Sequence, residues 1–380
     1  MRIGIFVDSV FTAESNGQSY ITSGGVGIYA RELLAALLRE ESENQYLVMR
    51  GRPASVPIIK HPRVKEISPV RSFRSLSKAG LWREWILRHE PLDVLHELEP
   101  SSGALRWHDH PLVVTVHDLI PLILPGHFRW YHTLTFKAFC RRNLERARAV
   151  IAVSHNTCRD IEKFFPEAVS KTTVIHEAGQ SLDFEYKADP AILDAFHITK
   201  PYILSVATLE PRKNHQALLD AYYMLRKCGL NLQLDLIGAA GWKNDHLFKH
   251  KVLAEYGDDI FFPGVVPPQT LAGFYQLASV FVYPSLYEGF GMPMLEAAAA
   301  GTPVVVGSNS SLAEVMGDAA HFVSERPGSQ ELAAAIYNIM NDPELRARLE
   351  AKGVRQAAAF SWQETARRTL DIYRRIAKEG

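Results

Sequence analysis

The sequence predicts an α/β protein of two domains, each built on a parallel β-sheet with helices on both faces. Short apolar, β-branched runs alternate with longer segments of helical periodicity, which is the pattern of parallel strands joined through helices. The chain has 380 residues, and a domain usually holds about 100–200 residues, so this alternation needs two sheets. The predicted strands are Ile3–Val7, Leu112–Val116, Ala149–Val153, Thr173–Ile175, Tyr202–Val206, Leu232–Ile237, Ile260–Phe262, Val280–Tyr283 and Val304–Val306.

The boundary between the two domains is expected between Gly179 and Lys200. The segment Glu185–Pro190 is polar and contains a proline, and a new apolar run begins shortly after it. A final helix is predicted from Trp362 to Lys378, where apolar residues recur at helical spacing. We therefore expect an N-terminal domain over residues 1–182 and a C-terminal domain over residues 200–362.

The composition is that of a globular protein and argues against several other classes of protein. Hydrophobic residues make up 47% of the chain, charged residues 22%, and the formal net charge is zero, so no general attraction to nucleic acid is expected. The three cysteines are dispersed and form no C-x-x-C pair, which favours a reducing compartment over disulfides or a zinc site. The first apolar run ends at Asp8, too early for a signal peptide, and no stretch is apolar for long enough to span a membrane. We therefore expect a cytoplasmic protein.

Ligands of open α/β sheets bind at the carboxyl ends of the strands, so the loops there are the candidate binding segments. The run Ser23–Gly27 precedes a predicted helix, and its glycines, Gly24 and Gly25 among them, allow close approach of a ligand to helix-start N–H groups. The spacing is not G-x-G-x-x-G and no G-K-[ST] follows, so this is neither a dinucleotide fingerprint nor a P-loop. A purely structural turn remains an alternative for this run.

Two further loops carry polar or charged side chains in notable pairs. His117 and Asp118 follow an apolar strand, where they can bind sugar hydroxyls or polarise a reacting group; a capping Asp beside a structural histidine is the alternative. Arg212 and Lys213 follow the strand Tyr202–Val206, just before a helix. Two adjacent cations can bind a diphosphate; a solvated pair of cations at a helix start is the alternative, which the helix dipole disfavours.

The most specific signal is the run Glu288–Glu296, with the sequence Glu-Gly-Phe-Gly-Met-Pro-Met-Leu-Glu. It follows the predicted strand Val280–Tyr283, and Gly289 and Gly291 leave the backbone accessible beside the first glutamate. Pro293 is expected as the first helical residue, because its missing N–H costs nothing there. Glu296 is then expected about one turn into the helix, where it can accept hydrogen bonds from vicinal hydroxyls.

These residues resemble the E-x7-E motif of the group 1, or family 4, retaining glycosyltransferases of GT-B fold. The similarity covers nearly the whole chain, since the Gly-Gly-Val-Gly run, the His117 loop, the Arg212–Lys213 pair, the Phe262–Val265 loop and the Phe360–Trp362 segment follow the family's order. The segments around Asp118 and Lys213 are similar to bacterial mannosyltransferases of polysaccharide assembly. One departure is Ala207, where some members of the family have a further arginine.

The resemblance implies two Rossmann-like domains that face each other across a cleft, with the C-terminal helix (363–380) crossing back onto the N-terminal domain. It implies a retaining, metal-independent transfer of a hexosyl group from a nucleotide-sugar donor to a glycan or lipid-linked acceptor. The implied catalytic residues are His117, Arg212, Lys213 and Glu288. The implied donor site adds Gly25, Gly264, Val265, Gly289, Phe290, Gly291 and Glu296, and the implied acceptor site has Gly24 and Asp118.

Neither a metal nor another cofactor is expected. The chain has no D-x-D, the motif by which another glycosyltransferase class holds a divalent cation, and His108–His110 is interpreted as a turn before Pro111. GDP-mannose is the donor suggested by the mannosyltransferase-like segments. A GT-B epimerase or phosphorylase and a non-catalytic glycan-binding scaffold remain alternatives. The basic, aromatic stretches Arg71–Arg88 and Arg129–Arg148 are interpreted either as core tryptophans beside solvated arginines or as peripheral contacts with an anionic membrane.

Overall fold

The computed structural model divides the chain into two compact units, Met1–Glu177 with Trp362–Gly380, and Ala178–Ser361. Ser23, His108 and residues 71–84 and 185–187 of the segments discussed above lie outside the residues that the structure describes. The described residues are 1–7, 12–15, 18–21, 24–51, 57–68, 85–101, 109–179, 182, 184 and 188–379.

The first unit contains a parallel sheet of seven strands in the order β5-β4-β1-β6-β7-β8-β9. Its central strands are buried on both faces, as expected for parallel strands that are covered by helices. A separate antiparallel hairpin, β2–β3, lies between β1 and the first helix in the chain. The strands are β1 (Arg2–Val7), β2 (Thr12–Ser15), β3 (Gln18–Ile21), β4 (Gln45–Arg50), β5 (Val64–Ile67), β6 (Val94–Glu97), β7 (Leu112–Val116), β8 (Ala149–Ala152) and β9 (Thr172–Val174).

The helices of this unit pack their apolar faces on the sheet. Helix α1 is one of them, and its buried side chains include Tyr29, Leu33 and Leu37. Residues 85–89 are also helical. The further helices before the second unit are α1 (Gly25–Glu40), α2 (Ile120–Ile123), α3 (Trp130–Arg146) and α4 (His155–Phe164).

The second unit contains a parallel sheet of six strands in the order β12-β11-β10-β13-β14-β15. The order reverses at β10, so the loops after β10 and β13 emerge side by side at the carboxyl edge, which is the usual ligand position of such sheets. The strands are β10 (Tyr202–Val206), β11 (Gln233–Ile237), β12 (Ile260–Gly264), β13 (Val280–Tyr283), β14 (Val304–Gly307) and β15 (His321–Val323).

One face of this sheet forms a continuous apolar core with α6, α11 and α12 through residues such as Leu218, Ile336 and Leu349. Helix α9 begins at Met292, so the expectation that Pro293 is the first helical residue was wrong by one position. The helices are α5 (Ala191–Asp194), α6 (His215–Lys227), α7 (Val252–Tyr256), α8 (Pro268–Leu277), α9 (Met292–Ala299), α10 (Leu312–Met316), α11 (Ser329–Asn341) and α12 (Pro343–Ala358).

The last helix, α13 (Trp362–Lys378), belongs to the first unit. It packs along α1, and the Tyr373 hydroxyl lies 2.6 Å from His96 Nδ1. The Thr365 hydroxyl donates to the carbonyl of His176 at 2.8 Å. Among the described residues, none of the helices is both long enough and apolar enough to cross a bilayer.

All nine strands expected from the apolar runs are present, within one or two residues of the expected bounds. Sequence reasoning missed β4, β5, β6 and β15, and it also missed the β2–β3 hairpin. Strand β6 shows why: His96 and Glu97 make half of it polar, yet all four of its residues are buried. No apolar run marks such a strand.

Candidate functional site

In the second unit, charged side chains converge where β10 and β13 end. The Lys213 ammonium donates to Glu288 Oε1 at 2.6 Å and to the Tyr283 hydroxyl at 2.8 Å. It also lies 4.9 Å from the centre of the Tyr283 ring. Both Lys213 and Glu288 are buried, so the alternative of a solvated pair of cations at a helix start does not hold for Lys213.

Arg212 shares the same carboxylate. Its Nη1 donates to Glu288 Oε1 at 3.0 Å and to the carbonyl of Tyr287 at 3.1 Å. Its Nε lies 2.5 Å from Oε1 of Glu210, a buried residue to which sequence reasoning gave no role. Two cations and two carboxylates therefore balance one another in this cluster.

Local backbone conformation brings these side chains together. Pro211–Lys213 form a 3-10 turn, and Asn214 follows in the left-handed region at φ 58° before α6 begins. The Leu286 N–H donates to the carbonyl of Arg212 at 2.8 Å. This bond joins the loops after two neighbouring strands, so the cations and Glu288 are held by one connected backbone.

Charge and burial set the protonation of the cluster. Burial alone favours the neutral carboxyl group, but the charges of Lys213 and Arg212 outweigh it and lower the pKa of Glu288 to about 2. Burial, and then repulsion by Arg212, lower the pKa of Lys213 against the attraction of Glu288. Burial and the Glu288 charge raise the pKa of Tyr283 well above its usual value. At neutral pH Glu288 is therefore ionised, while Tyr283 keeps its proton.

The loop from Glu288 to Gly291 is fixed by its neighbours. The Ser310 hydroxyl accepts from the Glu288 N–H at 3.0 Å, and the Ser311 hydroxyl bonds the carbonyls of Glu288 and Phe290 at 3.0 and 3.1 Å. Gly291 adopts φ 99°, a conformation that favours glycine, just before α9. The Phe290 ring is buried against Phe360 at 5.7 Å, so any donor contact of Phe290 is expected from its backbone.

Glu296 lies on the first turns of α9 and is buried. Its Oε2 accepts a hydrogen bond of 2.9 Å from the Tyr275 hydroxyl, and sequence reasoning did not identify this partner. Gly264 ends β12 at φ 74°, and the Val265 side chain beside it is exposed. A Cβ on Gly264 meets nothing within 4 Å, so its glycine is required by backbone conformation rather than by packing.

In the first unit, His117 follows β7 and pairs with a residue that sequence reasoning missed. His117 Nδ1 lies 2.7 Å from Oε1 of Glu177, and both residues have little solvent exposure. The Tyr29 ring meets the imidazole edge-on at 4.7 Å. Nε2 of His117 is buried and has no hydrogen-bond partner in the described part of the chain.

The other candidate residues of the first unit lie at helix starts. Asp118 Oδ1 accepts from the Ile120 N–H at 3.0 Å, so this side chain does stabilise the start of α2, as its structural alternative required. Gly24 precedes α1 and Gly25 is its first residue, and both are exposed. A Cβ on Gly24 meets nothing within 4 Å, so packing within the protein does not require glycine there.

Comparison with known proteins gives a consistent result. Residues 194–356 match the family description "Glycosyl transferases group 1" and residues 23–178 match "Glycosyltransferase Family 4". The chain is 32% identical to O-antigen chain mannosyltransferase B of Escherichia coli over 271 residues, which are 69% of this chain and 70% of that protein. It is 29% identical over 280 residues to the serotype-specific mannosyltransferase WbdA of Escherichia coli, covering 70% of this chain but only 34% of that longer protein.

Among solved structures, sucrose-phosphate synthase from Thermosynechococcus elongatus has a similar fold, with a TM-score of 0.78 over 100% of both chains at 21% identity. At that identity the likeness concerns the fold. Together with the two parallel sheets and the sequence matches, it confirms the predicted α/β fold of GT-B type. The chain belongs to the group 1 glycosyltransferase family and is a glycosyltransferase.

Proposed function

We propose that this enzyme is a retaining, metal-independent hexosyltransferase that uses a nucleotide-diphosphate sugar. The observation that carries the proposal is the cluster of Arg212 and Lys213 around Glu288 at the carboxyl edge of the second sheet. The second unit binds the donor, and the first unit binds a glycan or lipid-linked acceptor.

Release of the nucleoside diphosphate is the step that most needs stabilisation, because negative charge develops on the leaving oxygen. Preorganised cations that are shielded from water stabilise such charge more strongly than solvated ones. Arg212 and Lys213 supply two of them and take the place of a divalent metal. When the diphosphate binds, it replaces Glu288 as their partner, and the Glu288 carboxylate turns to a hydroxyl of the transferred sugar.

The nucleoside part of the donor is assigned to the neighbouring loops and helix. The Glu296 carboxylate, which also accepts from the Tyr275 hydroxyl, binds the ribose hydroxyls. The backbone of Gly264 and Val265 contacts the base. The N–H groups of Gly289, Phe290 and Gly291 border the diphosphate.

The first unit provides the remaining contacts. His117 bonds the transferred sugar through Nε2, the ring nitrogen that has no partner among the described residues. The Asp118 carboxylate, which accepts from the Ile120 N–H, also binds an acceptor hydroxyl. The exposed start of α1, with Gly24 and Gly25, allows close approach of the acceptor and of the donor phosphate.

Mannose is the proposed sugar and GDP-mannose the proposed donor. The support is that the two bacterial relatives described above carry the name mannosyltransferase. A donor panel tests this: GDP-mannose, GDP-fucose, UDP-glucose, UDP-galactose and ADP-glucose are each incubated with octyl α-mannoside in EDTA. Mass spectrometry should detect an added hexose with GDP-mannose. Rearrangement of a donor in the absence of acceptor would indicate an epimerase instead.

Peripheral contact with an anionic membrane is proposed for helix α3. Trp130 is 75% and Leu134 58% exposed, and Lys137 and Arg141 continue the same stripe at spacings of three and four residues. Such a stripe places an aromatic ring at the headgroup level and cations against anionic lipid, at about 1 kcal/mol for each basic residue. Charge and apolar exposure together favour a bilayer over a protein partner as its occupant.

A further inference from the structure

The buried pair of His117 and Glu177 is held by contacts from several elements of the first unit. His117 is the first residue after β7, and Glu177 is the third residue after β9, the second strand along in the sheet. The two residues are 60 positions apart in sequence, and their side chains meet at 2.7 Å. The carbonyl of His117 also accepts from the Thr157 hydroxyl of α4 at 3.3 Å, so both backbone and side chain are fixed.

The two ring nitrogens of His117 have different surroundings. Nδ1 donates to the Glu177 carboxylate, because an ionised carboxylate can only accept. The edge-on contact with Tyr29 holds the ring plane. Nε2 is then left as a buried polar atom without a partner in the described residues. Such an atom costs free energy unless a bound molecule satisfies it.

The surroundings of the ring favour its protonated form. Burial lowers the pKa of His117, but the hydrogen bond and charge of Glu177, followed by the charges of Asp118 and Glu99, raise it above its usual value. His96, on the neighbouring strand β6, has its pKa lowered to about 3 by burial and stays neutral. Tyr29, on α1, has its pKa raised by burial and also stays neutral. Among the described residues, the charges that raise the pKa of His117 are thus the carboxylates of Glu177, Asp118 and Glu99.

We propose that Glu177 is a positioning residue that holds His117 with its Nε2–H directed, as a charge-assisted hydrogen-bond donor, at an oxygen of the transferred sugar. This inference rests on the glycosyl transfer proposed above and specifies how the first unit takes part in it. The Glu177 carboxylate accepts the hydrogen bond from Nδ1–H. The proton on Nε2 is therefore the one that faces the substrate.

The proposal fixes the direction of the pH dependence. A donor at Nε2 requires the imidazolium, which is present below the His117 pKa and lost as the pH rises through it. Turnover should therefore fall on the alkaline side. If His117 instead accepted a proton at Nε2, as a general base, turnover would rise with pH over the same range.

The test compares the pH dependence of kcat for wild type and Glu177→Gln, which keeps the shape of the side chain and removes its charge. The alkaline fall should move to lower pH by about 1–3 units, the usual effect of losing a close opposite charge. At pH well below the shifted limb, kcat should approach that of wild type. Glu66→Gln is the matched control, since Glu66 is a mostly buried carboxylate on edge strand β5 that bonds Arg50 rather than a histidine. The pH profile of kcat for this variant should show the same alkaline fall as wild type.

A second measurement depends neither on activity nor on the folding of Glu177→Gln. In wild type with ¹⁵N-labelled histidine, assigned through His117→Gln, the neutral form of His117 should carry its proton on Nδ1 and titrate above 6.5. An Nε2–H tautomer, a lower pKa, or an unchanged limb in Glu177→Gln overturns the inference. If no nucleotide sugar is turned over by wild type, the proposed function fails, and the tautomer and titration of His117 still decide the role of Glu177.

Discussion

Replacing Lys213 by methionine removes the ammonium from a buried carboxylate and keeps most of the side-chain volume. Glu288 then remains ionised at neutral pH with Arg212, at 3.0 Å, as its nearest cation. In the native protein its pKa is lowered from 4.5 to about 2, and each pKa unit corresponds to about 1.4 kcal/mol. With the cost of burial included, the ionised Glu288 carboxylate beside its two cations stabilises the folded state by roughly 3 kcal/mol relative to the protonated carboxyl group. Lys213 lowers the pKa of Glu288 more than Arg212 does, so we expect Lys213→Met to lose most of this stabilisation, about 2 kcal/mol.

Urea unfolding followed by circular dichroism measures this loss. The folded-state pKa of Glu288 lies below the unfolded value, so the stabilisation is present above pH 4.5 and is lost as the pH falls toward 2. The difference between wild type and Lys213→Met should thus be largest at pH 7 and smaller at pH 3. The double variant Lys213→Met/Glu288→Gln should be more stable than Lys213→Met, since no carboxylate is left uncompensated. A single variant as stable as wild type, or a double variant less stable than the single, would refute this reasoning.

Four further predictions concern binding, stability and membrane contact. Glu296→Ala should weaken GDP binding in calorimetry, whereas Glu288→Gln should preserve or strengthen it and depress turnover; equal losses of affinity in both would reject their separate roles. Asp235 is buried with neither carboxylate oxygen hydrogen-bonded among the described residues, and burial raises its pKa to about 7. Ionisation of Asp235 therefore lowers the free energy of unfolding progressively as the pH rises from 3.8 to 7. Asp235→Asn should stabilise the protein at pH 8 by up to about 4 kcal/mol and have little effect at pH 4. The opposite trend in thermal melting would contradict this. Turnover should survive excess EDTA. A loss of turnover that magnesium or manganese restores would exclude a diphosphate site formed by Arg212 and Lys213 without a metal. Trp130→Ser/Leu134→Ser should reduce co-sedimentation with vesicles containing phosphatidylglycerol, while Val354→Ser, an exposed apolar residue of the second unit, should not; wild-type protein that stays in the supernatant at low salt would rule out membrane docking.

The sequence predicted the parts of the fold that local patterns encode. Apolar runs such as Val280–Tyr283 and Val304–Val306 mark buried parallel strands, because both of their faces are covered. Strand β6 could not be found in this way. His96 is accommodated in it by Thr115, 19 residues away, and by Tyr373, 277 residues away, and such partners are known only once the topology is known.

In the candidate site, too, local motifs could be predicted and contacts between distant residues could not. The spacing of Glu288 and Glu296 and the adjacent cations were visible as motifs that a loop and one helix turn present together. The burial of Lys213 was not visible, because it depends on Glu288 and Tyr283, which come 75 and 70 residues later. Glu210, Glu177 and Tyr275 were missed for a related reason: each is recognisable only by the side chain that it contacts.

The most direct test of the proposed transfer is the configuration of its product. Wild-type enzyme is incubated with GDP-α-mannose and octyl α-mannoside in excess EDTA, and the new glycosidic bond is examined by NMR through its one-bond C–H coupling at the anomeric carbon. We expect an α-linked mannose and release of GDP without added metal, with both strongly reduced in Lys213→Met. A β-linked product, or transfer that requires a divalent cation, would contradict it.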